Sequence, residues 1–165
     1  MKNYLITITR VLLTGAAILL AAEGVSSANP RSLSGVVQTG GTSSSQPLPN
    51  VHVSLFEATT EQPTILGQAT TDGSGRFSIR YTRSTSHSIF FVQADVSEGV
   101  EFVTVLGPSL PISVTINELT TVAASYSMAQ FLRTGVISGN SFGLQIAAAT
   151  TTSSRSRPAN RRPCC

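Results

Sequence analysis

Residues 66–81 read LGQATTDGSGRFSIRY, two strand-like runs on either side of a turn built from Asp72, Gly73, Ser74 and Gly75. The Asp72 side chain can bond its own backbone two residues on, and both glycines can take positive φ because they carry no Cβ. The stretch therefore predicts a β-hairpin, with Asp72, Gly73 and Gly75 as its structural turn. On the outgoing arm Phe77, Ile79 and Tyr81 alternate with Arg76, Ser78 and Arg80, so one face is apolar and the other carries guanidinium groups into water.

Strand signals recur at short spacing on both sides of this turn, over residues 33–38, 51–56, 64–71, 76–81, 88–96, 100–106 and 112–116. Val51, Val53 and Leu55 alternate with His52, Ser54 and Phe56. Residues 88–96, SIFFVQADV, are continuously apolar through Ile89, Phe90, Phe91 and Val92, which predicts a central strand buried on both faces. Residues 39–50 are rich in Gly, Ser and Pro and predict a long polar loop outside the core. The fold class this implies is mainly β, a seven-stranded prealbumin-like (Ig-like) β-sandwich over residues 29–116.

Past residue 116 the apolar period lengthens from two to nearly four, with Leu119, Val122, Ala123, Tyr126, Ala129 and Gln130 at helical spacing. A helix is expected to about Leu132 or Arg133, with Gly135 just past its end. Its start is either a capping box on Thr115 and Glu118 or an N-cap at Asn117. A second helix is expected over residues 141–149, weakened by Gly143 by about 1 kcal/mol relative to alanine. Residues 117–149 are thus a helical extension. Neither helix has the basic face of a membrane-surface binder.

The 165-residue chain is 41% hydrophobic and 12% charged, which suits one globular domain with appendages. Lys2 and Arg10 precede an apolar run over residues 11–22, followed by Ser26-Ser27-Ala28, and residues 1–28 are read as a cleaved signal peptide. The run is shorter than the roughly 20 apolar residues of a membrane span. Cleavage removes Lys2, the only lysine. Arg155, Arg157, Arg161 and Arg162 crowd the end of the chain, so the net charge of +3 describes the tail and gives no reason to expect a nucleic-acid partner. Residues 150–165 read as a disordered Arg, Pro and Cys tail, of a composition that a shifted reading frame would also produce. Cys164 and Cys165 are adjacent and terminal and cannot staple the fold.

No arrangement in the sequence carries catalysis, a cofactor or a metal. His52 alternates with core residues and faces outward, and His87 lies in a polar turn. No Gly-x-Ser-x-Gly elbow, phosphate loop or dinucleotide fingerprint is present. Asp72-Gly-Ser-Gly lacks the further acidic ligands of a calcium loop. Asp95, Glu98 and Glu101 gather at another turn, where they form either a weak calcium site or a solvated acidic loop. Phe56 is the one aromatic expected on a strand's outer face, either as a ligand contact or beneath the helices.

The pattern Gly35-Val36-Val37, then Pro47-Leu48-Pro49-Asn50-Val51-His52-Val53-Ser54-Leu55, then Thr71-Asp72-Gly73-Ser74-Gly75-Arg76-Phe77-Ser78-Ile79 resembles the carboxypeptidase regulatory-like domains of bacterial secreted and surface proteins. The resemblance covers roughly residues 32–116. It implies a transthyretin-like sandwich that is not itself catalytic and that accompanies peptidases, receptors, adhesins and carbohydrate-active enzymes. The Lys–Asn isopeptide bond of related collagen-adhesin domains is ruled out here after signal cleavage, for want of lysine. Residues 114–123 look like the junction at which such sandwiches pass into a helical region in longer proteins. The expectation is a non-catalytic structural or interaction module of the cell envelope or extracellular space, forming the N-terminal part of a larger protein. Its partner would be a protein or a glycan, with no membrane span after cleavage. The alternative is a carbohydrate-binding module of the starch-binding-like type, with Phe56 as ligand contact.

Overall fold

The computed structural model describes residues 31–40, 44–82, 88–133 and 135–153. The signal peptide expected at 1–28, His87 and the tail beyond residue 153 lie outside these. The described residues form ten strands and two helices: β1 Arg31–Thr39, β2 Gln46–Pro47, β3 His52–Glu57, β4 Thr64–Thr70, β5 Arg76–Tyr81, β6 Phe90–Ser97, β7 Val100–Gly107, β8 Ser113–Ile116, α1 Glu118–Ser127, β9 Leu132–Arg133, β10 Val136–Ile137 and α2 Ser141–Ser153. The chain is mainly β, and each stretch read as a strand from the sequence falls on an observed strand.

Three layers follow. In the first sheet β5 lies antiparallel on one side of β1 and β8 parallel on the other, with β2 pairing with the last residues of β1. The second is the antiparallel sheet β4-β3-β6-β7. Between them, Leu33, Val37, Ile79 and Ile116 of the first meet Val53, Leu55, Val92 and Ala94 of the second. Helices α1 and α2 form a third layer, where Ala124, Met128, Leu144 and Ala148 join Phe91 and Val105 in a second core. Strand β6 lies between the two cores: Phe90 and Val92 belong to one, Phe91 to the other. Its continuous apolar run is the sequence mark of burial on both faces.

The hairpin expected around Asp72 does not form. Strand β4 pairs with β3 and β5 pairs with β1, so the turn carries the chain from one sheet to the other. The local turn is as expected: Asp72 N–H donates to the Arg76 carbonyl at 2.8 Å and Gly75 N–H to the Asp72 carbonyl at 2.9 Å. Long-range bonds fix the crossing. Val37 N–H donates to the Gly75 carbonyl at 2.8 Å, and the buried Thr71 hydroxyl accepts from Val51 N–H and donates to the Leu48 carbonyl. Only Gly75 of the two turn glycines takes positive φ, at 69°.

Three further expectations are corrected. Part of the loop at 39–50 is structured, since β2 pairs with β1 and Leu48 packs against the first core. Helix α1 stops at Ser127, and Leu132 and Arg133 enter the short hairpin with β10, so Gly135, at φ 80°, serves that hairpin's turn. Helix α2 runs four residues past 149. The start of α1 resolves to Asn117, whose side chain accepts from Thr120 N–H while the Thr120 hydroxyl accepts from Asn117 N–H.

Candidate functional site

Apart from His87, which lies outside the described residues, each candidate site residue named from the sequence has a defined place. Asp72 and Gly75 belong to the sheet-crossing turn, and Gly73 is at its open tip with no atom near the position of a Cβ. The Asp72 carboxylate accepts from Arg76 N–H and Ser74 N–H, and these two bonds hold its carboxyl below the usual carboxylate range. Phe56 is half-buried; its ring stacks on Phe91 with centroids 5.0 Å apart and packs beneath the second core. His52 is exposed, as read from alternation. Its Nε2 lies 3.0 Å from the Gln68 amide nitrogen, which also donates to Ser54 Oγ. A carboxamide does not relay protons between Ser54 and His52, so this trio is no nucleophile–base pair.

Asp95, Glu98 and Glu101 are exposed along the β6–β7 hairpin. Among the described residues, no three His, Cys, Asp or Glu side chains come close enough to hold a metal ion. No helix of the described residues is long and apolar enough to cross a membrane.

Two features went unread in the sequence. One is the outer surface of the helical layer. Leu119, Val122 and Tyr126, the stripe found by helical spacing, face solvent, with Val122 67% and Tyr126 88% exposed. Ala124 and Met128 make the packed face. On α2, Phe142 and Ile146 repeat the pattern, with Phe142 74% exposed. Glu118 is the only charged residue on either helix.

The other is a cleft of about 480 Å³ lined by Glu57, Ala58, Thr59, Thr60, Ser88, Gly139 and Ser141. It lies where the end of β3, the chain leading into β6 and the start of α2 meet. Ala58 N–H donates to the Ile89 carbonyl, the Ser88 hydroxyl to the Ala58 carbonyl, and Gly139 N–H to the Thr59 carbonyl. Asn140 caps α2 by accepting from Gly143 N–H at 2.8 Å. Glu57 is 6% exposed, and its Oε1 has no hydrogen-bond partner among the described residues. Val51, Val53, Leu55 and Glu57 continue one alternation, so the Glu57 side chain has the parity of the first-core residues, as has Phe90 opposite it.

No protein-family model matches the chain, and no curated protein matches it. Among solved structures it is similar to a 9R-lipoxygenase from Cyanothece PCC8801, at 17% identity and a TM-score of 0.34. That match covers 54% of this chain, which spans 16% of the lipoxygenase chain.

Proposed function

We propose that this chain is a non-catalytic, secreted structural or protein-interaction module of the cell envelope or extracellular space, built on a prealbumin-like sandwich. In this reading it is the N-terminal part of a larger protein, and its helical layer is the docking face. The observation that carries the reading is the solvent-facing stripe of Leu119, Val122 and Tyr126 on α1, with Phe142 and Ile146 on α2. Grouped apolar side chains left in water mark interaction surfaces, and aromatic anchors are enriched at their centres. With Glu118 as the only charge on the two helices, the surface suits an apolar face of a partner protein better than a charged one. Phe56 is taken up by its stack on Phe91, so no observation favours the carbohydrate reading.

The test is a photo-crosslinking residue at Val122, expressed in cells of the source organism. The expected result is an adduct to a different protein that disappears when Leu119→Ser and Tyr126→Ser are added. Adducts to a second copy of this chain, or none at all, refute the docking assignment.

A further inference from the structure

The first sheet has a second face, turned away from both cores. Leu33 and Val37 of β1 and Phe77, Ile79 and Tyr81 of β5 belong to the first core, so Ser32, Ser34 and Val36, with Arg76, Ser78 and Arg80, have the opposite parity and face outward. Strand pairing sets these side chains in rows. Arg76 is opposite Val36, Ser78 opposite Ser34 and Arg80 opposite Ser32, while Ser113 of β8 lies on the other side of Ser34. A row of short hydroxyl side chains thus crosses three strands between two arginines. A cleft of about 270 Å³ opens beside it, lined by Ser34, Val36, Arg76 and Ser113, with Gly35 and Phe77 of the strands between them.

The charges on this face are unbalanced. Arg76 and Arg80 are exposed, and among the described residues neither guanidinium has an ion pair or a hydrogen bond. No acidic residue lines the cleft. Outside the described residues the sequence holds one carboxylate side chain, Glu23, so residues 41–43 after β1 and 83–87 after β5 bring none. Asp72, four residues before Arg76, has its Oδ1 occupied by the Ser74 and Arg76 N–H groups, and both Glu118 oxygens accept from Gly40 N–H. The wall is therefore rich in donors: the fork of a guanidinium and the hydroxyls of Ser34 and Ser113. Such a wall repels a cation and offers an apolar ligand only Val36. Arg80, about 13 Å along the strand from Arg76, adds a second positive charge to the same face. A phosphate monoester matches both features, with about −1.5 to −2 charges near neutral pH and three strong acceptor oxygens. A carboxylate brings one charge and two oxygens. The volume of about 270 Å³ lies just under the usual range for drug-sized ligands and suits a small one.

We propose that the cleft on the outer face of β1, β5 and β8 binds a small phosphate monoester: the Arg76 guanidinium takes two phosphate oxygens, the Ser34 and Ser113 hydroxyls the third, and Arg80 supplies the second positive charge. The site lies on the far side of the sandwich from the helical layer and uses none of the exposed apolar residues, so it is independent of the docking face.

The test is an ¹⁵N NMR titration of the full chain with methyl phosphate at neutral pH and constant ionic strength. Methyl sulfate, of the same shape but one charge, and acetate are the controls. The expected result is saturable shifts of the Ser34, Val36, Arg76 and Ser113 amides with methyl phosphate, and weaker binding of both controls. Arg76→Gln, at an exposed position that leaves the core untouched, should weaken binding roughly 10- to 100-fold, the loss expected for a charge-assisted bidentate contact. Arg76→Lys keeps the charge without the fork and should recover only part of that loss. Arg80→Gln, outside the lining, should cost about two- to fivefold. The proposal is overturned by the absence of saturable shifts with methyl phosphate, by equal binding of methyl sulfate or acetate, which marks a face that attracts any anion, or by undiminished binding in Arg76→Gln.

Discussion

Replacing Gly75 with alanine tests the point at which the two sheets are joined. Gly75 has φ 69°, and a Cβ there would sit 2.5 Å from the Val37 carbonyl oxygen and 3.0 Å from Leu48 N. The left-handed conformation costs an alanine roughly 1–2 kcal/mol. The contact with Val37 is with backbone and cannot be relieved by turning a side chain. Either the turn or β1 must shift, against the 2.8 Å bond from Val37 N–H to the Gly75 carbonyl and the 2.9 Å bond from Leu48 N–H to the Val37 carbonyl. Weakening those bonds adds about 1 kcal/mol each, so Gly75→Ala should cost roughly 3–4 kcal/mol in all. At roughly 3–4 °C per kcal/mol for a domain of this size, the midpoint should fall by about 10 °C. Gly73→Ala is the control: it lies in the same turn, has no atom within 4 Å of a Cβ position and does not take positive φ. Its effect should stay within about 0.5 kcal/mol. Thermal and urea melts followed by circular dichroism separate the two. Equal destabilisation by both alanines would refute the claim that the crossing is set at Gly75.

The Asp72 carboxyl, held below its usual range by the Arg76 and Ser74 N–H groups, should contribute stability that is fully present above about pH 4. That contribution is lost as pH falls through the lower value of the folded state. The gap in urea midpoint between wild type and Asp72→Asn should therefore narrow on acidification from pH 7 to pH 2; a constant gap contradicts this. Asn117→Ala removes the acceptor for Thr120 N–H at 2.9 Å and should cost about 1 kcal/mol, read from urea melts. Phe91→Ala opens the second core beneath the helices and removes the stacking partner of Phe56. It should cost about 3–5 kcal/mol, with hydrogen exchange rising first in α1 and α2.

The strands were legible because their signal is local: alternation in β5 and a continuous apolar run in β6 each state how many faces are buried. Pairing was not. The turn at 72–75 has the chemistry of a chain reversal, and β5 alternates equally well whether its neighbour is β4 or β1. What decides is Val37 N–H on the Gly75 carbonyl and the Thr71 hydroxyl between Val51 and Leu48, contacts between residues far apart in the chain. Gly143, read as a helix liability, is where the Phe131 ring lies, with Cζ 2.7 Å from the position of a Cβ. Its absence of side chain is a packing requirement that no propensity scale contains.

The helical layer shows how periodicity can find a stripe and misplace it. Leu119, Val122 and Tyr126 are spaced for one helix face, and the simplest reading puts that face on the sheet. Ala124 and Met128 occupy it instead, a small residue and a flexible one that fit close against Phe91 and Val105. The larger apolar residues are displaced to the outside, and spacing alone cannot distinguish a face that packs within the domain from one that packs on another molecule. The same logic applies in reverse to β3, where inward parity reaches Glu57. An alternation that ends on a carboxylate breaks the hydrophobic rule at the last residue of that strand. Among the described residues both departures leave a demand unmet, apolar area in water in one case and a buried acceptor in the other. A residue that violates its element's pattern marks a place where something other than that element's own packing supplies the compensation.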